Sequence, residues 1–551
     1  MSTTALNDRA RGWLRFLWEK TTTPDDWSSQ GEPLPWWDRD STAPMCAFPR
    51  FELSENTYPL LQYADITPAW REVYERVALE LCQRHMSFWS SIDNITLIGD
   101  DPNVDRYPPE WLTYLPERLR GRYNSPGWVG NGLAPWGLNP DPIGADGNVF
   151  VRGFLNLVLS VYRYISGRDT FDTPFQVTGY RDRQFSWTHP DVADFISSQL
   201  ADRPEGPHCE NTKIWPFCVS ATGLGLKLFD ASHGTNLQSP YDAWCEYAQQ
   251  HYMGLTRRGD LEWFAMYYDP IQQEACTLPE GLAGYMSLVI LPYVLPQQPE
   301  WATRLYELSM RGLGWSDPRA RLHQFHPDPR WLSIGYLISK ELGDWTTFDR
   351  LSAVVENEFE PRFFGEDDSQ FGYYFGWGEQ WPRGQQSALL MAGELATPGS
   401  WSKPFNQPNL AKFTEPTVEG IDFPTLGVSA AHNLTDVGEL HVSTYAATPS
   451  ARRTPTTWRI TNLPDPAGVR IVCDGQEFGN WRVLDDSTVE LSLDVDDHDL
   501  IVATTSRSTT PRTQDAGRTR QSVSTPSSLV APTPISAPPT ARRPTMCGCC
   551  G

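Results

Sequence analysis

Cys209 and Cys218 stand nine positions apart in the segment Cys209-Glu210-Asn211-Thr212-Lys213-Ile214-Trp215-Pro216-Phe217-Cys218. One acid and two aromatics lie between them, and an apolar helical run follows. A thiol pair of this kind can hold a metal, close a disulfide, pack in a core, or move protons and attack carbon. Zinc sites bring cysteines about two to four residues apart with two further ligands, and no second pair stands nearby. A structural disulfide suits a secreted chain. Met1 to Lys20 instead carries Arg9, Arg11 and Arg15 and lacks a continuous apolar stretch, so no signal peptide is expected. Packing cysteines and working thiols remain as the two readings.

Other chemistry-bearing groups are weaker. Asp494-Val495-Asp496-Asp497 spells the acid motif of protonation-initiated terpene cyclases, but it closes a β-strand and reads as a solvated acidic turn. Asp100-Asp101 with Asp105 loosely matches a magnesium-diphosphate motif, without a second metal motif to complete it. His323, His326 and Asp328 offer a metal corner only within a proline-containing loop. No metal and no organic cofactor is expected. At the C-terminus, Met546-Cys547-Gly548-Cys549-Cys550-Gly551 follows Arg542-Arg543 and is not a prenylation box. Clustered cysteines after basic residues fit S-acylation and peripheral membrane contact as well as they fit a free tail.

The chain has 551 residues, enough for two or three domains and a large core. Its 23 Trp, 21 Tyr and 24 Phe suit either aromatic walls around an apolar ligand or a tryptophan-rich core. A net charge of −23 argues against nucleic acid and anionic membrane as partners of the main body. No apolar run reaches the roughly 18 residues that a membrane span needs. A cytoplasmic setting with ten reduced cysteines is expected.

The elements that must position the thiols are helical. From about Ala69 to Leu395 apolar residues recur at helical spacing, beginning with Trp70, Tyr74, Val77 and Leu81. A second stripe, Phe150, Phe154, Leu157, Val161 and Tyr164, starts at Asn148 and stops at Gly167. Further helical runs are predicted near 190–201, 217–231, 240–254, 281–293, 299–312, 330–342, 346–358 and 385–395. After Thr397 the period drops to two, over segments such as Leu440–Tyr445, Thr457–Thr461 and Thr488–Val495, which predicts a small antiparallel β domain or sandwich. The expected organisation is an N-terminal arm (1–44), an all-α domain (45–397) with a Pro/Gly/Trp-rich insertion at 93–147, a β domain (398–505) and a disordered tail (506–551). The insertion is of a type that often serves as a lid. The tail carries six arginines and one acid, +5 against −28 for the rest.

Three blocks within this frame resemble the linalool dehydratase/isomerase family over about residues 45–360. The first is the Cys209 to Cys218 segment, continuing through Phe229-Asp230-Ala231-Ser232-His233-Gly234-Thr235. The second is Asp141-Pro142-Ile143, Asn148, Gly153-Phe154-Leu155-Asn156-Leu157 and Ser166-Gly167-Arg168. The third is Ser339-Lys340-Glu341-Leu342-Gly343-Asp344 with Phe348-Asp349. The resemblance implies an α/α barrel of six helical hairpins, with the site in the barrel mouth and at a subunit interface of a homo-oligomer. It implies addition or removal of water and allylic rearrangement at a terpene alcohol, a small apolar substrate, without cofactor or metal. Cys209 and Cys218 match the family's active-site cysteines. Asp26 is the loose match for an acid that the resemblance places on an N-terminal segment, of the same or a neighbouring subunit, with adjacent Asp25 the alternative.

Two departures shape the expectation. Phe154 stands where the family has a histidine, and Phe51 where it has a tyrosine; Phe150 replaces a methionine one turn before Phe154. The site has exchanged proton-transfer groups for π-faces that can stabilise a cation. Glu210, Trp215 and Tyr285 complete the candidate lining, and His208 is a weaker stand-in for the imidazole. The leading expectation is a lyase/isomerase that adds or removes water, or rearranges an allylic or tertiary alcohol, by thiol/carboxyl acid–base chemistry. A terpenoid or meroterpenoid cyclase and an inactive barrel that binds an apolar ligand are the alternatives.

Overall fold

A computed structural model of the chain describes residues 5–38, 49–91, 133–134, 137–138, 140–145, 147–179, 182–209, 213–269, 273–278, 281–319, 322, 329–376 and 378–504. The architecture is mainly helical, with two antiparallel sheets toward the C-terminus.

Two 18-residue helices, Val149–Ser166 and Pro216–His233, pack side by side at the centre. The first is buried nearly all round, as a helix apolar on every face must be. Both stop at a glycine in the left-handed region, Gly167 (φ 72°) and Gly234 (φ 70°), whose N–H reaches back to Arg163 and Asp230 respectively. Their close approach rests on two other glycines. A Cβ on Gly153 would collide with Thr222 Oγ1, and one on Gly225 would sit 3.0 Å from the backbone nitrogen of Leu157. The Gly153-Phe154-Leu155-Asn156 block is therefore a helix-packing signature.

The predicted helices near 190–201, 299–312, 330–342, 346–358 and 385–395 appear as His189–Asp202, Pro299–Gly312, Pro329–Glu341, Trp345–Glu358 and Gly384–Leu395. Side-chain caps begin two of them: Thr188 accepts from the Asp191 N–H and Asp344 from that of Thr347. Helical structure also starts well before Ala69, at Asp8–Thr22, Pro49–Glu55 and Thr57–Ile66. The first of these is capped by Asn7 and buries Trp13, Leu14, Phe16 and Leu17 among scattered charges, which masked its stripe. Three small antiparallel ribbons interrupt the helices, Phe175–Thr178 with Gln184–Trp187, Met253–Leu255 with Leu261–Asp269 and Glu274–Thr277, and Pro361–Phe364 with Gln370–Tyr373. Apart from Leu261–Asp269, these strands run to 3 or 4 residues, too few side chains to show a period of two. Of the 93–147 insertion, two short paired strands (Leu133–Ala134 and Gly137–Leu138) and a turn near 141–145 are described.

The C-terminal sheets match the predicted alternation. One has the order Thr417–Glu419, Pro455–Thr461, Thr488–Asp494, Trp481–Asp485; the other Leu426–Leu434, Glu439–Ala446, Asp499–Ala503, Arg470–Cys473, Gln476–Glu477. Backbone bonds Val418 N–H to Ala69 O (2.7 Å) and Leu6 N–H to Ser429 O (2.8 Å) tie them to the helical part. The tail at 506–551, its cysteine cluster, and the Asp100/Asp101/Asp105 and His323/His326/Asp328 groups lie outside the described residues. Among the described residues no helix is long and apolar enough to cross a membrane.

Candidate active site

Pro216 opens the second central helix at its first position, where its missing N–H is no loss. Cys218 therefore sits in the first turn, where the helix dipole favours negative charge. Cys209 is held just upstream, its N–H bonded to Lys213 O at 2.7 Å. The two sulfurs come to 3.1 Å, Cys209 Sγ toward Cys218 Sγ. Neither cysteine is in a disulfide, and both are buried. Glu210 lies outside the described residues.

Beside the thiols stands a set of rings. Phe51 meets Phe150 (5.7 Å between centroids), Phe154 (5.7 Å) and Phe217 (5.8 Å). Phe154 also meets Phe217 at 5.4 Å and Tyr293 at 6.3 Å, and Phe217 meets Tyr293 edge-on at 5.4 Å. Phe217 adjoins Cys218 in sequence, so the ring set and the thiols share one end of the helix pair. Phe51, Phe150 and Phe154, singled out from the sequence, are thus brought together. Trp215 is half-buried against Tyr267 (5.4 Å), and Tyr285 stacks on Trp331 at 4.5 Å. His208 is half-buried and its carbonyl accepts from the Val149 N–H.

The N-terminal aspartates have separate environments. The Asp25 side chain is buried, accepting from the indole N–H groups of Trp27 (2.8 Å) and Trp37 (3.0 Å) and pairing with Arg84 at 3.0 Å. Asp26 is exposed, and its Oδ1 accepts from the Ser28 N–H. Asp25 is thereby a structural anchor of the arm.

Four residues at this site escaped the sequence reading. Arg330 lies over the faces of Phe217 (4.8 Å) and Phe51 (5.2 Å) and pairs with Glu55 at 3.3 Å. Tyr58 and Tyr293 share a hydrogen bond at 3.0 Å between their hydroxyls. Burial raises Glu55 to about 7 despite the neighbouring guanidinium. Burial likewise holds both phenols protonated, with Glu55 adding to the effect at each and Cys218 adding to it at Tyr293. Glu55 and Arg330 are 275 residues apart, so no local pattern links them.

His233, from the first block, lies outside this cluster. Its Nε2 faces Asp172 at 3.1 Å, and Arg163 pairs with the same carboxylate at 3.2 Å. Burial, then His233, lower the adjacent His189 to about 3, so its imidazole is neutral. The Asp494–Asp497 run ends its strand as read, with Asp496 and Asp497 both paired to Arg452.

Residues 130–366 match the family described as linalool dehydratase/isomerase. Over these residues the chain is similar to that family. The match contains both central helices, the thiol pair, Phe150, Phe154 and Arg330, while Phe51, Glu55 and Tyr58 precede it. The match supports an enzyme of lyase/isomerase type on terpenoid-like substrates. Among solved structures, an alpha-amylase from Clostridium perfringens is similar at 11% identity and a TM-score of 0.38, over 69% of this chain and 96% of that one. A GH76 alpha-mannanase from Bacteroides thetaiotaomicron is similar at 9% identity and 0.37, over 73% and 99%. At that level neither bears on substrate or mechanism.

Proposed function

We propose that the protein adds or removes water, or shifts a double bond, at an allylic or tertiary alcohol of a terpenoid, with Cys209 and Cys218 as the proton-moving or carbon-attacking groups. The observation that carries this reading is the 3.1 Å approach of the two sulfurs beside the ring set. Hydroxide is a poor leaving group: its oxygen must gain a proton as the C–O bond breaks, and a base must take the departing hydrogen. Paired thiols serve as such a base, and a thiolate also attacks allylic carbon to form a transient thioether. Phe51, Phe150 and Phe154 supply an apolar wall and π-faces for an allylic cation. Trp215 and Tyr285 extend that wall in the proposed substrate site.

The rest of the proposed assembly follows the family. The helical region, 45–397, closes as an α/α barrel of six hairpins, and the sheets at 398–505 brace it. Asp26, exposed on its arm, is suited to reach a second copy of the chain in a homo-oligomer. The substrate is small and apolar, and the setting is the cytoplasm.

A cyclisation reading has support of its own: Phe51, Phe150, Phe154, Phe217 and Tyr293 form one connected set of rings, with Phe51 and Phe154 where the family resemblance places a tyrosine and a histidine. Incubation with a panel of tertiary and allylic terpenoid alcohols, followed by product analysis, separates the two. Loss or gain of water, or an allylic shift with unchanged ring count, supports the lyase/isomerase. A new ring without loss of water supports the cyclase. No conversion of any alcohol contradicts the proposal.

A further inference from the structure

An acid–base site needs a group to protonate the leaving oxygen, and Phe154 has removed the imidazole that the family resemblance places there. The Pro49–Glu55 helix supplies a carboxyl instead. We infer that Glu55 is the proton donor of this site, oriented by Arg330 and linked toward the thiol pair through Tyr58 and Tyr293. The inference rests on the proposed lyase/isomerase chemistry.

Two sets of contacts and one effect of burial support it. The guanidinium that pairs with Glu55 at 3.3 Å is the one lying over Phe51 and Phe217, so the carboxyl borders the ring set. The Tyr58 and Tyr293 hydroxyls lie 3.0 Å apart, and the Tyr293 ring packs on Phe154 and on Phe217, the residue before Cys218. Neutral phenols donate and accept together, as a relay requires. Burial also holds the carboxyl partly protonated at neutral pH, where a general acid works best. The charged groups around it are Arg330, which favours the carboxylate, and Asp38, which opposes it. On its own helix, Ser54 is occupied by His85 at 3.1 Å, and Glu52 by Lys20.

The proton inventory closes. Glu55 gives its proton to the hydroxyl, the C–O bond breaks, and water leaves. A cysteine thiolate takes the proton lost from carbon. Transfer from that thiol through Tyr293 and Tyr58 re-protonates Glu55, so the net change is alcohol to alkene plus water. Hydration runs the same steps backward.

The test compares full-length wild type with Glu55→Gln and Arg330→Gln, by turnover against pH and by pH-difference infrared spectroscopy of the protonated carboxyl. Wild-type dehydration should fall as pH rises through about 7. Glu55→Gln should lose about 100-fold or more in kcat and lose that falling limb. Arg330→Gln removes the cation that favours the carboxylate, so its limb should move to higher pH. A merely structural ion pair would alter stability and leave the limb in place. A Glu55→Gln enzyme with the wild-type rate and pH profile overturns the inference. Wild type inactive on every alcohol would defeat the functional reading instead. The infrared titration then decides alone: a carboxyl band titrating near neutrality and missing from Glu55→Gln upholds Glu55 as the proton-exchanging group, and no such band overturns it.

Discussion

The sulfurs of Cys209 and Cys218 lie 3.1 Å apart, joined as donor and acceptor at the start of the helix beginning at Pro216. That separation lets two thiols share a proton. The helix that carries Cys218 packs against Val149–Ser166 through glycine, which leads to the first prediction.

Gly225→Ala should destabilise the chain by about 1–3 kcal/mol, because the new methyl meets the Leu157 backbone at 3.0 Å, where no side chain can swing aside. Denaturant midpoints measure it. A change within about 0.5 kcal/mol would mean that the helices separate freely, and with them the thiol site.

Asp25 and Asp26 should respond oppositely. Asp25→Asn disturbs a buried pair with Arg84 and two indole contacts, and should lose about 3 kcal/mol. Asp26→Asn, at an exposed turn, should stay within about 0.5 kcal/mol. Equal losses in thermal melts would show that the arm is not anchored through Asp25.

His189 makes the fold acid-sensitive. Its folded value of about 3 lies below the usual 6.5, so the unfolded chain binds the extra proton between those values. Its contribution is present above about 6.5 and is lost as pH falls toward 3, at most about 1.4 kcal/mol per pH unit. His189→Gln should flatten the stability profile across that window. An unchanged profile would place the acid sensitivity elsewhere.

Phe154→Leu keeps the apolar volume near that of the ring and removes the π-face. If an allylic cation forms beside Phe51 and Phe217, kcat/KM should fall by about 2- to 30-fold, the equivalent of one cation–π contact. Equal rates in the two proteins would leave the rings a purely steric role.

Much of the frame was legible in the chain. The stripe from Phe150 to Tyr164 and its stop at Gly167 predicted a helix that the structure ends on that glycine, and period-two alternation marked the C-terminal strands. The thiols and Phe154 could be named because short motifs carry them. Glu55, Arg330, Tyr58 and Tyr293 could not, since only the packing of distant helices joins them. The helix Asp8–Thr22 was hidden by its charges, which the fold engages: Arg9 pairs with Glu356, and Lys20 is buried against Glu52.

The most direct measurement is turnover of a terpenoid alcohol by wild type, Cys209→Ala and Cys218→Ala under reducing conditions, with melting curves confirming that each variant folds. Loss of conversion by about 100-fold or more in both variants is predicted, since each removes one half of the sulfur pair. Wild-type turnover in both folded variants would remove the thiols from the chemistry and contradict the account.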